Sequence, residues 1–155
     1  MRFPAVEAIA VVAGLTACAE EPKSVAVAMG DPAPYRIFFD FDSVVLGTTS
    51  NQRLQRFAVE YSNGSSSKVC IVGYADTSGD PRANAVLSSR RAEAVAKRLV
   101  ELGVPAEAIT TYGLGGKDLL VQTPPGVQEP QNRVVRIWVT KPERTCEEGF
   151  SDSWL

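Results

Sequence analysis

Residues 68–102 read KVCIVGYADTSGDPRANAVLSSRRAEAVAKRLVEL, and this stretch predicts a strand, a loop and a helix in succession. The apolar run 68–73 is bounded by turn residues, which fits an interior strand. Asp80 followed by Pro81 is typical of a helix start, with aspartate as the cap and proline at the first helical position. A glycine and a proline follow Leu102 closely, so the helix is expected to end there.

The loop of this stretch carries an acid, Asp76, and the helix carries a base, Arg91, on its apolar side. At about 100° per residue, Arg91 falls beside Leu87 in the stripe that faces the sheet, whereas Arg90 falls on the far side. A buried guanidinium needs partners, because an unpaired buried charge is costly. The two groups can form a salt bridge that orders the loop, or together receive a ligand that carries an ammonium and a carboxylate. Both interpretations can hold, because a ligand can bridge the two side chains or replace the contact between them.

The remaining segments extend this unit to a β-α-β-α-β-β order, which predicts an α+β fold. Two right-handed crossovers make the first three strands parallel, with the helices on one face of a mixed sheet, and the last strand returns antiparallel. The predicted segments are a strand at 35–41, a helix capped by Thr48 or Ser50 and running to about Tyr61, a strand at 108–112, a long loop at 113–132 and a strand at 133–140.

Three connections are expected to meet at one edge of this sheet. They are the turn after the first strand (residues 40–43), the acid loop after the second strand (residues 75–79) and the turn into the last strand (residues 132–133). Loops that leave parallel strands emerge at the same edge, where α/β proteins form ligand sites. The start of the second helix should lie at this edge as well.

Composition argues against several classes of function. The chain has 155 residues, a net charge of −2 and no histidine. The charge gives no electrostatic case for nucleic acid. The lack of histidine removes the commonest general base and most catalytic zinc sites. No nucleophile stands with a base, so we predict no enzyme, no catalytic residues, no metal and no cofactor.

The N-terminus is typical of an export signal. Residues 1–17 hold a short apolar run, and Leu15-Thr-Ala-Cys18 resembles a bacterial lipobox, in which the cysteine receives a lipid such as palmitate. The alternative is an ordinary cleaved signal with an incidental Cys18. Residues 18–34 have three prolines and no periodicity, so they are predicted to be a flexible tether.

Two further cysteines remain, Cys70 in the second strand and Cys146 in the C-terminal tail at 141–155. Export places them in an oxidising compartment, where they can form a disulfide that pins the tail across the sheet. The alternative is a buried Cys70 and a free thiol at Cys146.

Residues 35–140 resemble the OmpA-like C-terminal domain family, which includes peptidoglycan-associated lipoproteins. The motifs that carry the resemblance are an aromatic-Asp-Phe-Asp-Ser opening, a Gly-x-x-Asp-x-x-Gly loop, Asn84 with Leu87-Ser88 and Arg91-Ala92, a Gly-x-Gly after the third strand, and Asn132-Arg133. Tyr74-Ala75 stand where the family often has His-Thr, Ala83 replaces the usual aromatic, and Val134 replaces a second arginine.

The resemblance implies noncovalent binding of peptidoglycan through the diaminopimelate of its stem peptide. It implies that Asp76 takes the ammonium and Arg91 the carboxylate. The predicted ligand-binding residues are Asp76, Arg91, Asn84, Phe41, Asp42 and Thr77. The expected protein is a periplasm-facing outer-membrane lipoprotein that tethers the membrane to the cell wall. The alternative is an envelope adaptor that docks a protein partner through its domain, long loop or tail.

Overall fold

The computed structural model describes residues 35–62 and 67–147 as a four-stranded sheet with two helices packed on one face. Short 3-10 turns at Ala106–Ala108 and Pro130–Asn132 precede the last two strands. The main elements are β1 (Tyr35–Phe38), α1 (Thr48–Ser62), β2 (Lys68–Gly73), α2 (Pro81–Glu101), β3 (Ile109–Gly113) and β4 (Val134–Thr140).

The sheet has the order β1-β4-β2-β3. β4 pairs antiparallel with both β1 and β2, and β2 pairs parallel with β3. The first three strands therefore run in one direction and the last runs against them, which confirms the predicted α+β fold. The position of β4 between β1 and β2 places the turn at residues 132–133 between the ends of the two strands that precede α1 and α2.

α2 begins and ends where its sequence signals predicted. Asp80 caps it by accepting hydrogen bonds from the backbone amides of Arg82 and Ala83, at 2.8 and 2.9 Å. Leu102 forms its C-terminal cap. The buried side of the helix is the predicted stripe, with Arg91 among its apolar members; it consists of Ser88, Arg91, Ala92, Val95 and Leu99.

The two faces of the sheet bury different groups. On the helix side, alternate strand residues such as Ile71 and Ile137 form the main core with α1 and α2. On the other side a smaller cluster includes Cys70, Trp138 and Cys146. Cys70 and Cys146 form a disulfide with a Cα–Cα distance of 5.6 Å, so the start of the tail lies across the helix-free face.

Several predicted boundaries are wrong by a few residues. β1 ends at Phe38 rather than at residue 41, because the chain turns where the amide of Ser43 donates to the carbonyl of Asp40. β3 and β4 each begin one residue later than predicted, after the 3-10 turns. Ser50 does not cap α1; it lies inside the helix, and its hydroxyl donates to the Phe38 carbonyl at 3.4 Å.

Some predictions concern residues outside those that the structure describes. The signal sequence, Cys18, the tether and the end of the tail are among them. Within the described ranges, no helix combines the length and the apolar character that crossing a membrane requires.

Candidate functional site

Close packing of α2 on the sheet brings Arg91 to the predicted edge. A Cβ atom added to Gly73, the last residue of β2, would lie 2.0 Å from the backbone oxygen of Ser88. Gly113, at the end of β3, is equally crowded, with the Ser89 hydroxyl 2.2 Å from such an atom. Glycine at both strand ends therefore lets the helix backbone approach closely enough for Arg91 to reach under the loops.

Arg91 is fully buried and connects two loops to the helix. Its Nε donates to the carbonyl of Ser43 at 2.9 Å, and its two terminal nitrogens donate to the carbonyls of Asp40, at 2.9 Å, and Tyr74, at 3.2 Å. The guanidinium also lies 5.3 Å from the ring centroid of Phe39. Arg91 therefore fixes the 40–43 turn against the end of β2.

The pKa of Arg91 is lowered to about 10, chiefly by burial and also by the nearby Arg133, although the carboxylates of Asp76 and Asp42 act in the opposite direction. The side chain still carries its charge near neutral pH. These contributions show that two cations and two anions share the site.

Asp76 is 3% exposed, and its ion-pair partner in the structure is Arg133. One carboxylate oxygen lies 3.2 Å from the Arg133 guanidinium, and the other accepts hydrogen bonds from the amide and hydroxyl of Ser78. A direct salt bridge between Asp76 and Arg91, one of the two interpretations that the sequence left open, is therefore not formed among the described residues. β4 pairs with β2, so Arg133, just before β4, lies beside the acid loop that follows β2.

Asn84 and Thr77, both predicted to bind the ligand, hold the acid loop in place. The Asn84 side-chain amide donates to the carbonyls of Asp76 and Ser78, at 3.0 and 2.7 Å. The Thr77 hydroxyl donates to the Pro124 carbonyl at 2.6 Å and accepts from the Val127 amide at 3.2 Å. The long loop is thus attached to the acid loop.

Phe41 and Asp42 form the outer surface of the 40–43 turn. Both side chains are exposed, Phe41 by 55%. Asp42 has a φ of 46°, a left-handed conformation that is uncommon outside glycine. The carbonyls on either side of this pair, at Asp40 and Ser43, are the ones that Arg91 holds.

The structure thus gathers all six predicted residues at one end of the sheet, in two groups around Arg91. The prediction omitted Arg133 from this set. Its position in the turn before the last strand placed Arg133 at the edge where the loops meet. The strand order then determined with which acid it would form an ion pair.

A third arginine, Arg136, lies on the helix-free face of the sheet. The guanidinium of Arg136 stacks over the ring of Tyr74 at 4.4 Å from its centroid. Tyr74 is fully buried, and its carbonyl is one of the acceptors for Arg91. Its ring and backbone therefore contact arginines on both faces of the sheet.

Chemically, this arrangement is suited to binding a ligand that carries charges of both signs. It offers one carboxylate and two guanidinium groups, so it can accept a cationic and an anionic group side by side. Within residues 35–62 and 67–147, no group of three or more acidic or cysteine side chains is placed to hold a metal ion.

Comparison with known proteins agrees with this geometry. The model of the OmpA family matches residues 38–133, which include Arg91, Arg133, Asp76 and all three converging connections. The chain belongs to the OmpA family. This result confirms the resemblance inferred from the motifs.

Two curated relatives of this OmpA-family chain are named as an outer membrane protein and as a peptidoglycan-binding protein. An outer membrane protein of Gluconacetobacter diazotrophicus is 36% identical over 109 residues, covering 66% of this chain and 29% of that protein. The peptidoglycan-binding protein ArfA of Mycobacterium bovis is 31% identical over 122 residues, covering 79% of this chain and 36% of that protein. The chain spans about a third of the length of these relatives.

Among solved structures, the peptidoglycan-associated lipoprotein from Burkholderia pseudomallei shares the fold. It superposes with a TM-score of 0.63 at 27% sequence identity, covering 68% of this chain and 89% of that chain. The match thus includes most of that structure.

Proposed function

We propose that this chain is a periplasm-facing protein of the bacterial outer membrane that binds peptidoglycan noncovalently and so tethers the membrane to the cell wall. The names of the relatives and of the structural neighbour support this class of function. The observation that carries the proposal is the convergence of Asp76, Arg91 and Arg133 at one sheet edge.

The proposed ligand group is the free ammonium and carboxylate of diaminopimelate in the stem peptide. Asp76 accepts the ammonium in place of Arg133, its present partner. Arg133 then turns to the ligand carboxylate. This exchange of ion pairs leaves neither protein charge buried without a partner, which would be costly.

Arg91 supplies the second contact to the ligand carboxylate. A guanidinium has five N–H donors, and three of those on Arg91 bind backbone carbonyls. One donor on each terminal nitrogen remains for a carboxylate. Because Arg91 is fully buried, the 40–43 turn must shift to admit the ligand, and its exposed Phe41 and Asp42 then border the bound group.

The membrane end of the tether is proposed to be a lipid on Cys18. The chain has three cysteines, and Cys70 and Cys146 are bonded to each other, so Cys18 is the remaining one. A flexible segment the size of residues 18–34 has a root-mean-square reach of about 20–25 Å. The intact mass of the protein extracted from membranes tests this modification, and a mass without added lipid would contradict it.

Sedimentation with purified sacculi tests the binding site. Asp76→Asn removes one charge without changing shape and should reduce sedimentation by about tenfold or more, since an interfacial charge pair loses its partner. Asp118→Asn, in an exposed part of the long loop, is the matched control. Arg91→Ala should reduce sedimentation by a similar factor, with Arg90→Ala, at its exposed neighbour, as the control.

Circular dichroism must first show that each variant is folded, because Arg91 also holds three carbonyls. Equal sedimentation of all folded variants with wild type would favour the envelope adaptor instead.

The docking surfaces proposed for the adaptor both make contacts within the chain. Thr77 binds the long loop through the Pro124 carbonyl, and the disulfide at Cys146 holds the start of the tail.

A further inference from the structure

Three apolar side chains project into solvent beside the candidate site. Phe41, Val44 and Val45 are 55%, 38% and 73% exposed, and we refer to them as the apolar ridge. The next residue, Leu46, packs against the main core, so the chain at the end of the ridge is held on the folded domain. Large apolar side chains grouped on a surface mark places where another molecule makes contact.

The ridge continues directly from the site. Phe41 lies between Asp40 and Ser43, whose carbonyls accept hydrogen bonds from Arg91 at 2.9 Å each. A ligand group that reaches Arg91 past this turn must therefore pass beside the ridge.

The charge of residues 40–47, which include the ridge, limits the kinds of molecule that can bind there. Residues 40–47 read DFDSVVLG, with two acids and no base. Both carboxylates are exposed, at Asp40 and Asp42. This charge disfavours an anionic lipid surface. It suits a neutral group that has hydroxyl donors for the carboxylates and an apolar C–H face for the aromatic ring.

We infer that the apolar ridge is a subsite for the N-acetylated amino sugar to which the stem peptide is attached. The Phe41 ring covers the C–H face of the sugar, and Asp42 accepts a hydrogen bond from one of its hydroxyls. This inference rests on the proposed function. Diaminopimelate is the third residue of the stem, so only two residues separate it from the sugar linkage.

Calorimetric titration of the full chain in detergent tests the subsite with two ligands. One is the stem tripeptide that ends in diaminopimelate, and the other is the same tripeptide attached to its disaccharide. Wild type should bind the disaccharide ligand about five- to tenfold more tightly, because the sugar buries part of the Phe41 ring. Phe41→Ala should remove this gain, so its affinity for the disaccharide ligand should fall by about five- to tenfold more than its affinity for the tripeptide. Val59→Ala, at an exposed apolar position on α1, is the matched control.

The outcomes separate the subsite from the site itself. Equal affinity of wild type for both ligands would overturn the subsite while leaving the proposed function intact, as would an equal loss for both ligands in Phe41→Ala. No binding of either ligand to wild type would overturn both. Val45→Ser gives a second measurement and should reduce the gain in part.

Discussion

At the scale of single residues, Arg91 has a structural role that its proposed ligand role does not require. Three backbone carbonyls from two different connections end on one buried guanidinium. The helical wheel located Arg91 on the buried side, because position along a helix determines which face a side chain occupies. Its partners were not predictable, since carbonyls of residues 40, 43 and 74 come together only in the folded chain.

Replacement of Arg91 should destabilise the fold as well as weaken binding. Arg91→Ala leaves three carbonyls without their donor, the Tyr74 carbonyl in a buried position and the other two in part-buried ones, and the expected loss is about 3 kcal/mol or more in the free energy of unfolding. Urea denaturation measures it. Arg91→Lys should recover only part of this loss, because an ammonium lacks the planar fork. Arg90→Ala should stay within about 0.5 kcal/mol of wild type. Unchanged stability of Arg91→Ala would contradict this structural role.

The raised pKa of Tyr74 predicts that the stability of the folded chain falls in alkaline solution. Burial raises its pKa to about 12, although the nearby Arg136 lowers it. Below about pH 10 the hydroxyl is neutral in both the folded and the unfolded chain. Between about pH 10 and 12 the unfolded chain releases the proton and the folded chain keeps it, so this contribution to stability is lost as the pH rises.

Comparison of wild type with Tyr74→Phe isolates this effect. The phenylalanine keeps the ring and the backbone carbonyl but has no hydroxyl to titrate. Wild type should lose about 2–3 kcal/mol more than the variant between pH 9 and 12, as measured by urea denaturation at each pH. Tyr112→Phe, at an exposed position on β3, should keep the wild-type decline. Parallel curves for wild type and Tyr74→Phe would contradict the assignment.

At the scale of elements, the contact of α2 with the strand ends determines where the site lies. The start of α2 and the apolar run of β2 were predicted to the residue, because an Asp-Pro cap and a bounded apolar run are local signals. The end of β1, both bounds of β3 and the start of β4 were less accurate, because turns and 3-10 segments there depend on contacts with other elements.

Gly73→Ala should separate α2 from the sheet. The added methyl group would overlap the Ser88 carbonyl, and backbone cannot move aside as a flexible side chain can. The expected loss is about 1–3 kcal/mol in the free energy of unfolding, together with weaker binding of sacculi, because Arg91 shifts with the helix. Gly47→Ala is the control, since a methyl group added at that position would have no atom of another residue within 4 Å beyond its chain neighbours. Equal denaturation midpoints for the two variants would contradict the predicted clash.

At the scale of the whole molecule, the disulfide joins the tail to the central part of the sheet. Cys70 and Cys146 are 76 residues apart in sequence and both are buried. The Lys68 side chain adds a hydrogen bond to the Arg144 carbonyl at 3.3 Å. The start of the tail therefore belongs to the folded domain instead of extending freely from it.

Loss of this crosslink should lower stability markedly. A loop of this length predicts a loss of about 4 kcal/mol when Cys70→Ala and Cys146→Ala are combined, since the unfolded chain gains freedom. Wild type treated with a reducing agent should unfold at a similar urea concentration, and the double variant should not respond to the reducing agent. Cys18→Ala should keep the wild-type response. Insensitivity of wild type to reduction would contradict a stabilising role for the bond.

The sequence by itself determined the elements of this protein, the buried position of Arg91 and the edge at which the loops meet. Each follows from a cap, a period or a crossover rule that operates over neighbouring residues. Only the tertiary structure decided that β4 lies between β1 and β2, that Asp76 pairs with Arg133, and that Cys70 bonds Cys146. The last two contacts join residues 57 and 76 positions apart. Partners at such separations are chosen by which strands become neighbours, and no local pattern encodes that choice.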